Sequence, residues 1–214
     1  MAKKKVNNSS RGNEKQQLVI FLAIFMAVLF IGGSIAAVVI GGNSGGVPTG
    51  GTQSASSLEN EVKTLTEQVY ANPNDVGTQE RLGNAYFNLA NQYKQTNDSR
   101  ANATFGEAIK NYKAVVEKKP DSKESWGDLA TALYYTDQVD AAIDAVEKAL
   151  KIDPSFGPAR MNYAIYLGYG RGDYAGAIKQ LEQVSAGAPQ YSQAQSMKQE
   201  FENALKNPQP SPAQ

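Results

Sequence analysis

Three prolines in the second half of the chain recur at nearly constant spacing. Pro120, Pro154 and Pro189 stand 34 and 35 positions apart, and Pro73 precedes the first of them by 47. Each interval holds two runs of apolar residues at the spacing of an amphipathic helix. A single pair of short helices cannot bury its apolar faces, so repeated pairs must stack on one another. The sequence therefore predicts an all-α array of helical hairpins.

The clearest hairpin runs from Trp126 to Pro154. We predict that its turn covers residues 137–140, that Asp140 caps the second helix, and that Pro154 ends it. The apolar positions of the first helix are Trp126, Leu129, Ala130 and Leu133, and those of the second are Ala142, Ile143, Val146, Ala149 and Leu150.

Similar hairpins are predicted on both sides. Unit one covers about 76–120 and has a long connection at 91–104, for which we favour two extended helices with a turn near Asn97 over a disordered loop. Unit two covers 121–154. Unit three covers 155–189, with a turn over 168–173 and a second helix that reaches Val184. A lead-in helix starts at Leu58, and an amphipathic helix at about 192–206 caps the array.

The residue types at these positions resemble the tetratricopeptide repeat. The family pattern has a large residue, Leu-Gly and Tyr in the first helix. The second helix has Ala, an aromatic residue, Ala and Pro. Residues 58–206 are similar to this pattern. The matching residues are Leu82, Gly83, Tyr86, Ala108, Tyr112 and Pro120 in unit one, Trp126, Leu129, Ala130, Leu133, Ala142, Val146, Ala149 and Pro154 in unit two, and Tyr163, Ala164, Leu167, Ala177, Leu181 and Pro189 in unit three. The resemblance implies a right-handed solenoid whose first helices line a concave face.

Residues 18–40 form an uncharged, almost wholly apolar run. This length spans a bilayer core of about 30 Å as a helix, so we predict a single transmembrane anchor. The alternative is a signal peptide cleaved near Ala36, which would release a secreted protein. The apolar run continues beyond that residue, which favours the anchor.

The flanks of the apolar run predict an orientation. Residues 1–17 carry five basic groups, and after the run the first basic residue is Lys63. The positive-inside rule therefore places a basic tail, residues 1–17, in the cytoplasm and the repeat domain outside it. Residues 41–57 are rich in glycine and serine and predict a flexible linker, and residues 207–214 predict a disordered tail.

Composition excludes several functions. The chain has no cysteine and no histidine, so thiol nucleophiles, disulfides and the usual general base are absent. Residues 58–206 hold 16 basic and 20 acidic side chains, a balance that disfavours nucleic acid. The acidic residues lie at positions typical of helix caps and of solvent-exposed helix faces. We expect no enzyme activity, no cofactor and no metal.

The resemblance implies that a protein or peptide partner binds the concave face. Aromatic side chains there would anchor the partner, and asparagines would bond its backbone. The predicted contact residues are Asn84, Phe87, Asn88, Asp128, Thr131, Tyr134, Tyr135, Asn162, Ile165 and Tyr169. We expect a membrane-anchored scaffold for assembly of an envelope complex. The alternative is a structural membrane protein that assembles with copies of itself, as a homo-oligomer.

Overall fold

The computed structural model describes residues 54–207, which are entirely helical apart from turns and loops. The predicted cytoplasmic tail, the apolar run at 18–40, most of the linker and residues 208–214 lie outside the described residues. Among residues 54–207, no helix combines the length and the apolar character that crossing a bilayer requires.

Within residues 55–206, eight α-helices follow one another, and each packs mainly against its neighbours in sequence. The predicted lead-in helix is α1, the three hairpins are α2/α3, α4/α5 and α6/α7, and the predicted cap is α8. Their bounds are α1 Ala55–Ala71, α2 Val76–Gln95, α3 Ala101–Lys118, α4 Lys123–Tyr135, α5 Val139–Ile152, α6 Gly157–Ile165, α7 Tyr174–Leu181 and α8 Tyr191–Lys206. Residues 55–206 thus form an all-α array of helical hairpins.

Polar side chains fix where several helices begin. The Asp75 carboxylate accepts a hydrogen bond from the backbone N–H of Thr78 at 3.1 Å, and the Ser122 hydroxyl accepts from Ser125 at 3.2 Å. These bonds satisfy N–H groups that the first turn of a helix leaves unpaired.

The first helix of every hairpin ends at a residue with a left-handed backbone. Asn97, Asp137 and Gly172 have φ values of 55°, 59° and 71°. In the first two hairpins, the backbone N–H of the following residue donates to a carbonyl five residues earlier. Asp98 donates to Tyr93, and Gln138 donates to Leu133. This arrangement closes the helix end and reverses the chain. The long connection of unit one is therefore two extended helices joined at Asn97, as predicted.

The predicted cap at Asp140 is wrong. Asp137 completes the end of α4, so α5 already begins at Val139 and Asp140 lies inside its first turn. The Asp140 carboxylate instead forms an ion pair with the Arg171 guanidinium at 2.6 Å.

The predicted turn over 168–173 is also shifted. Residues Tyr166–Gly170 continue α6 as one π-helical turn, so the chain reverses only at 172–173. Here the closing N–H of Asp173 bonds Leu167, six residues back rather than five. The extra residue of the 35-residue interval is therefore accommodated inside the helix as a π-bulge.

Unit three differs from the prediction in its second helix as well. That helix ends at Leu181 rather than continuing to Val184, because the hydrogen bonds of Gln183 and Val184 reach back only three residues. Val184 is nevertheless buried, within the loop that leads to α8.

Consecutive units are joined through the closing prolines and through small residues. The Trp126 indole N–H donates to the Pro120 carbonyl at 2.9 Å, and the Arg160 guanidinium donates to the Pro154 carbonyl at 3.0 Å. Within unit one, a Cβ atom on Gly83 would lie 2.9 Å from the Tyr112 ring. A larger residue than glycine would therefore prevent α2 and α3 from approaching this closely.

Candidate partner-binding surface

The predicted contact residues lie on α2, on α4 and on α6 with its π turn, the first helices of the three hairpins. We call this surface the first-helix face. On α2 it follows the spacing Glu80, Asn84, Phe87 and Asn91, which brings these side chains to one side of the helix. Asn84 and Asn88 are exposed, and the Asn84 carboxamide oxygen accepts a hydrogen bond from the Tyr112 hydroxyl at 2.7 Å.

Phe87 and Tyr135 form an aromatic cluster with Phe105 of α3. The Phe87 ring meets the other two edge-on at centroid distances of 5.5 and 5.6 Å, and Tyr135 stacks on Phe105 at 5.1 Å. The Lys94 ammonium lies 4.6 Å from the centre of the Tyr135 ring. Partial burial raises the pKa of Tyr135 and lowers that of Lys94. These two aromatic side chains therefore join units one and two while remaining half-buried at the surface.

Tyr134 and Thr131 connect unit two to unit three. Tyr134 stacks on Tyr166 at 4.7 Å, and the Tyr166 ring is almost fully buried. The Thr131 hydroxyl accepts hydrogen bonds from the Tyr166 hydroxyl and the Asn162 amide, each at 3.2 Å, and donates to the Gly127 carbonyl at 2.9 Å. Thr131 and Asn162 thus satisfy each other across the unit boundary.

The remaining contact residues of unit three pack inward or toward the end of the array. Ile165 is 1% exposed, so its side chain is a core residue and not available to a partner in this structure. Tyr169 packs edge-on against Phe201 of α8 at 4.9 Å, and its hydroxyl donates to Glu200 at 2.8 Å. The half-buried Tyr169 therefore holds the capping helix.

The beginnings of α2 and α4 bring three carboxylates to the same part of the first-helix face. We call Glu80, Glu124 and Asp128 the acidic end. The buried Ser125 hydroxyl donates to the Glu80 carboxylate at 3.0 Å, and Asp128 follows Ser125 by one helical turn. Burial, with repulsion from Glu80 and then Glu124, raises the pKa of Asp128 to about 7.

Sequence reasoning missed four residues that shape this surface. Asn91 and Lys94 lie beyond the positions that the family pattern covers, because α2 is longer than the other first helices. Their helical spacing after Phe87 is the signal that would have placed them on the same side. Phe105 and Tyr166 were missed because each packs across a unit boundary.

Within residues 54–207, no three acidic side chains are grouped closely enough to hold a metal ion.

Residues 100–161, from the second helix of unit one into the first helix of unit three, match the family model described as tetratricopeptide repeat. The match agrees with the order of helices in the described domain.

Two curated proteins are similar over short stretches. A tetratricopeptide repeat-containing protein of Methanocaldococcus jannaschii is 34% identical over 84 residues, which is 38% of this chain and 14% of the relative. A peroxisomal targeting signal receptor of Kluyveromyces lactis is 37% identical over 65 residues, 30% of this chain and 12% of the relative. The chain thus spans about one-eighth of the length of these relatives.

Solved structures share the fold at low sequence identity. The crystal structure of MamA is 20% identical, with a TM-score of 0.53, and the match covers 71% of this chain and 86% of that one. A thermophilic tetratricopeptide repeat protein of Thermus thermophilus is 22% identical, with a TM-score of 0.54 and coverage of 70% and 72%. Tetratricopeptide arrays are interaction scaffolds that bind proteins or peptides, and they are typically not enzymes.

Proposed function

We propose that this protein is a membrane-anchored scaffold that binds an extended segment of a partner protein on its first-helix face. The observation that carries the proposal is the surface of α2 and α4, where exposed Asn84 and Asn88 flank half-buried Phe87 and the Phe87 ring contacts half-buried Tyr135. Amide groups suit the backbone of an extended chain, and half-buried aromatic rings suit its side chains.

The aromatic pair is a poor first target for mutation, because Tyr135 stacks on Phe105 and Tyr134 on Tyr166. Losing these contacts would lower the stability of the fold as well as partner binding. Asn88 is a better target, since it is exposed and makes no side-chain hydrogen bond to any residue of 54–207. Asn88→Arg places a bulky side chain on the first-helix face without disturbing the core.

The test is cross-linked capture of partners from intact membranes with the full-length chain. We expect Asn88→Arg to reduce the yield of specific partners several-fold. The matched control is Asn102→Arg, the same change at an exposed position on α3, which should capture as the unaltered chain does. Equal capture by both variants would refute binding at this face.

The membrane anchor and the orientation are part of the proposal. They rest on the uncharged residues 18–40 and on the five basic groups that precede them. We extend the proposal to assembly of an envelope complex, because a membrane-anchored scaffold outside the cytoplasm is surrounded by other envelope proteins.

A chain without cysteine permits a direct test of orientation. Asn60→Cys introduces a single thiol on an exposed position of α1. We expect a membrane-impermeant thiol reagent to label it in intact cells. Labelling of this thiol only after the cells are lysed would indicate the opposite orientation. A membrane-free product that starts near residue 37 would support the secreted alternative.

A further inference from the structure

The first hairpin is longer than the other two, and its far end is the segment 95–104, which we call the tip of unit one. Pro73 and Pro120 are 47 positions apart, against 34 and 35 for the two later intervals. α2 and α3 have 20 and 18 residues, whereas α4 and α5 have 13 and 14. The added residues lengthen both helices, so the tip lies beyond the length of a standard hairpin.

The tip carries two copies of one short motif. Asn97-Asp98-Ser99 and Asn102-Ala103-Thr104 both read Asn-x-Ser/Thr without proline in the middle, which is the acceptor motif for N-linked glycosylation. Residues 54–207 hold twelve asparagines, and none of the other ten begins this motif. Both copies therefore lie in the hairpin that exceeds the repeat length, on a part of the surface that projects from the array.

The first copy of the motif is accessible in the folded domain. Asn97 is exposed in the turn between α2 and α3, and its side chain makes no hydrogen bond to residues 54–207. The Ser99 hydroxyl is also exposed and makes none to those residues. A transferase therefore reaches both the acceptor amide and the hydroxyl of the motif without opening a helix.

The charge of the middle residue is balanced within the tip. The Asp98 carboxylate pairs with the Arg100 guanidinium at 2.7 Å and accepts from the Arg100 backbone N–H at 2.9 Å. Arg100 also pairs with Glu59 of α1 at 3.0 Å and lies 4.0 Å from the centre of the Tyr93 ring. These contacts hold the turn against α1 and α2, and they leave the acceptor side chain free.

The second copy of the motif is less accessible. Asn102 is exposed, but it lies in the first turn of α3, and the Thr104 hydroxyl donates to the Arg100 carbonyl at 2.8 Å. Presenting this motif in an extended form requires breaking that hydrogen bond and opening the start of α3. The folded structure therefore favours Asn97 over Asn102 as an acceptor.

We propose that the tip of unit one is a glycosylation site, with Asn97 as the acceptor of an oligosaccharide and the Ser99 hydroxyl as the group that the transferase recognises. The proposal rests on the orientation given under the proposed function, since it needs the repeat domain outside the cytoplasm. A glycan at this position makes the projecting end of unit one bulky and strongly hydrated.

The transfer is a substitution at the anomeric carbon of a sugar carried on a lipid pyrophosphate. The side-chain nitrogen of Asn97 forms a bond to this carbon as the bond from the carbon to the pyrophosphate oxygen breaks. The lipid pyrophosphate leaves with the bonding electrons, and the amide loses one proton to a base of the transferase. No atom is oxidised or reduced, so the lipid-linked sugar is the only co-substrate.

The test is mass spectrometry of tryptic peptides from the full-length chain, purified in detergent from the cells that naturally produce it. Trypsin cuts after Lys94, Arg100 and Lys110, so the two motifs fall on separate peptides, 95–100 and 101–110. We expect added sugar mass on peptide 95–100 and none on peptide 101–110. Sugar on peptide 101–110 alone would overturn the choice of Asn97.

The N-terminal tail provides an internal control. Residues 7–10, Asn-Asn-Ser-Ser, contain the same motif on the side of the apolar run that is predicted to be cytoplasmic. Trypsin places them on peptide 6–11, which we expect to carry no sugar. Sugar on this peptide would overturn both the orientation and the glycosylation of Asn97.

Substitutions within the motif test how the site is recognised. Asn97→Gln removes the acceptor and Ser99→Ala removes the hydroxyl, so each should abolish the added mass. Ser99→Thr keeps the hydroxyl and should retain it. The matched control is Asn88→Gln, the same change at an exposed asparagine outside any motif, which should also retain it. Sugar that survives Ser99→Ala would refute recognition through this motif.

Failure of this inference is distinguishable from failure of the proposed function. An unmodified peptide 95–100, together with labelling of Asn60→Cys in intact cells, would overturn the glycan and leave the proposed orientation standing. An unmodified peptide 95–100, together with labelling of that thiol only after lysis, would overturn both.

Discussion

At the scale of single residues, the glycines of the two helices of unit one have opposite roles. Gly83 faces the buried Tyr112 ring, which cannot move freely because its hydroxyl bonds Asn84. Gly106 lies in the middle of α3, and a Cβ atom there would meet nothing within 4 Å. The same residue type therefore fits close packing at one site and only weakens a helix at the other.

Substituting these two glycines by alanine should change stability in opposite directions. We expect Gly83→Ala to lower the free energy of unfolding by about 1–3 kcal/mol, because the ring must shift. Gly106→Ala should raise it by about 0.5–1 kcal/mol through helix propensity. Chemical denaturation of both variants measures the two changes in the free energy of unfolding. Equal changes would contradict the tight contact between Gly83 and the Tyr112 ring.

The raised pKa of Asp128 predicts a pH dependence of stability. An unfolded aspartate ionises near pH 4, whereas Asp128 in the fold does so at about 7. As pH rises, ionisation of this carboxyl therefore stabilises the unfolded state at a lower pH than it stabilises the folded state. The contribution of Asp128 to the free energy of unfolding falls as pH rises from about 4 to about 7. The groups facing it are Glu80 and Glu124, with Tyr112 and Tyr166 nearby.

Asp128→Asn should remove this dependence. We expect the variant to gain about 1–4 kcal/mol over the unaltered chain near pH 7.5, and much less near pH 4. Urea denaturation at the two pH values provides the measurement. A gain that does not vary with pH would mean that the carboxylate is better solvated than its position among Glu80 and Glu124 indicates.

At the scale of helices, the three hairpins close by the same device with three different residues. Asparagine, aspartate and glycine occupy the left-handed position, at 97, 137 and 172. Only glycine adopts this backbone without a steric cost. The hairpins of units one and two therefore retain a small local strain.

Asn97→Gly should relieve part of that strain. The Asn97 side chain is exposed and makes no hydrogen bond to residues 54–207, so nothing else is lost. We expect thermal unfolding to shift upward, corresponding to about 0.5 kcal/mol. Gly172→Ala is the converse change and should cost about 1 kcal/mol. A lower melting temperature for Asn97→Gly would contradict the strain argument.

The helices themselves could be predicted because their signals are local. Apolar spacing and the prolines gave the lead-in helix, three hairpins and the cap, and the turn at Asn97 was found from Asn-Asp-Ser alone. The errors at Asp140 and at 168–173 share a cause. Helix ends depend on which residue adopts the left-handed backbone, and an inserted residue is absorbed either in a turn or in a π-bulge.

The first-helix face could be predicted less well. The family pattern placed Asn84 and Asn88 at exposed positions and Asp128 at a partly exposed one, but it also selected Asn162 and Ile165, which are buried. Exposure at that position depends on how α6 and its π turn pack, which is a property of the neighbouring helices. The pairing of Glu80 with Ser125 joins residues 45 apart in sequence and had no local signal.

At the scale of the whole described domain, both end helices turn mostly polar surfaces outward, although Tyr70 on α1 and Tyr191 and Leu205 on α8 are exposed. On α1, Asn60, Thr64 and Glu67 are exposed, and on α8, Gln195 and Asn203 are. Such surfaces serve as caps, because they offer another array little apolar area to bury. This arrangement argues against end-to-end stacking as the basis of the self-assembly alternative.

A fragment of residues 54–207 should therefore remain monomeric. We expect light scattering to give the mass of one chain across the concentrations used for spectroscopy. The control is a fragment with Asn60→Leu, Thr64→Leu and Glu67→Leu, whose apolar end should promote association. A dimer of the unaltered fragment would favour self-assembly and make a second copy the first partner to consider.

The unequal length of the first helices has a consequence for direction. α2 has 20 residues and α4 has 13, and both start just after the closing proline of the preceding helix. The excess of seven residues makes unit one project about 10 Å beyond unit two at the turn end. A segment laid across the first-helix face would meet this projection at one corner only. The two ends of such a segment would therefore have different surroundings.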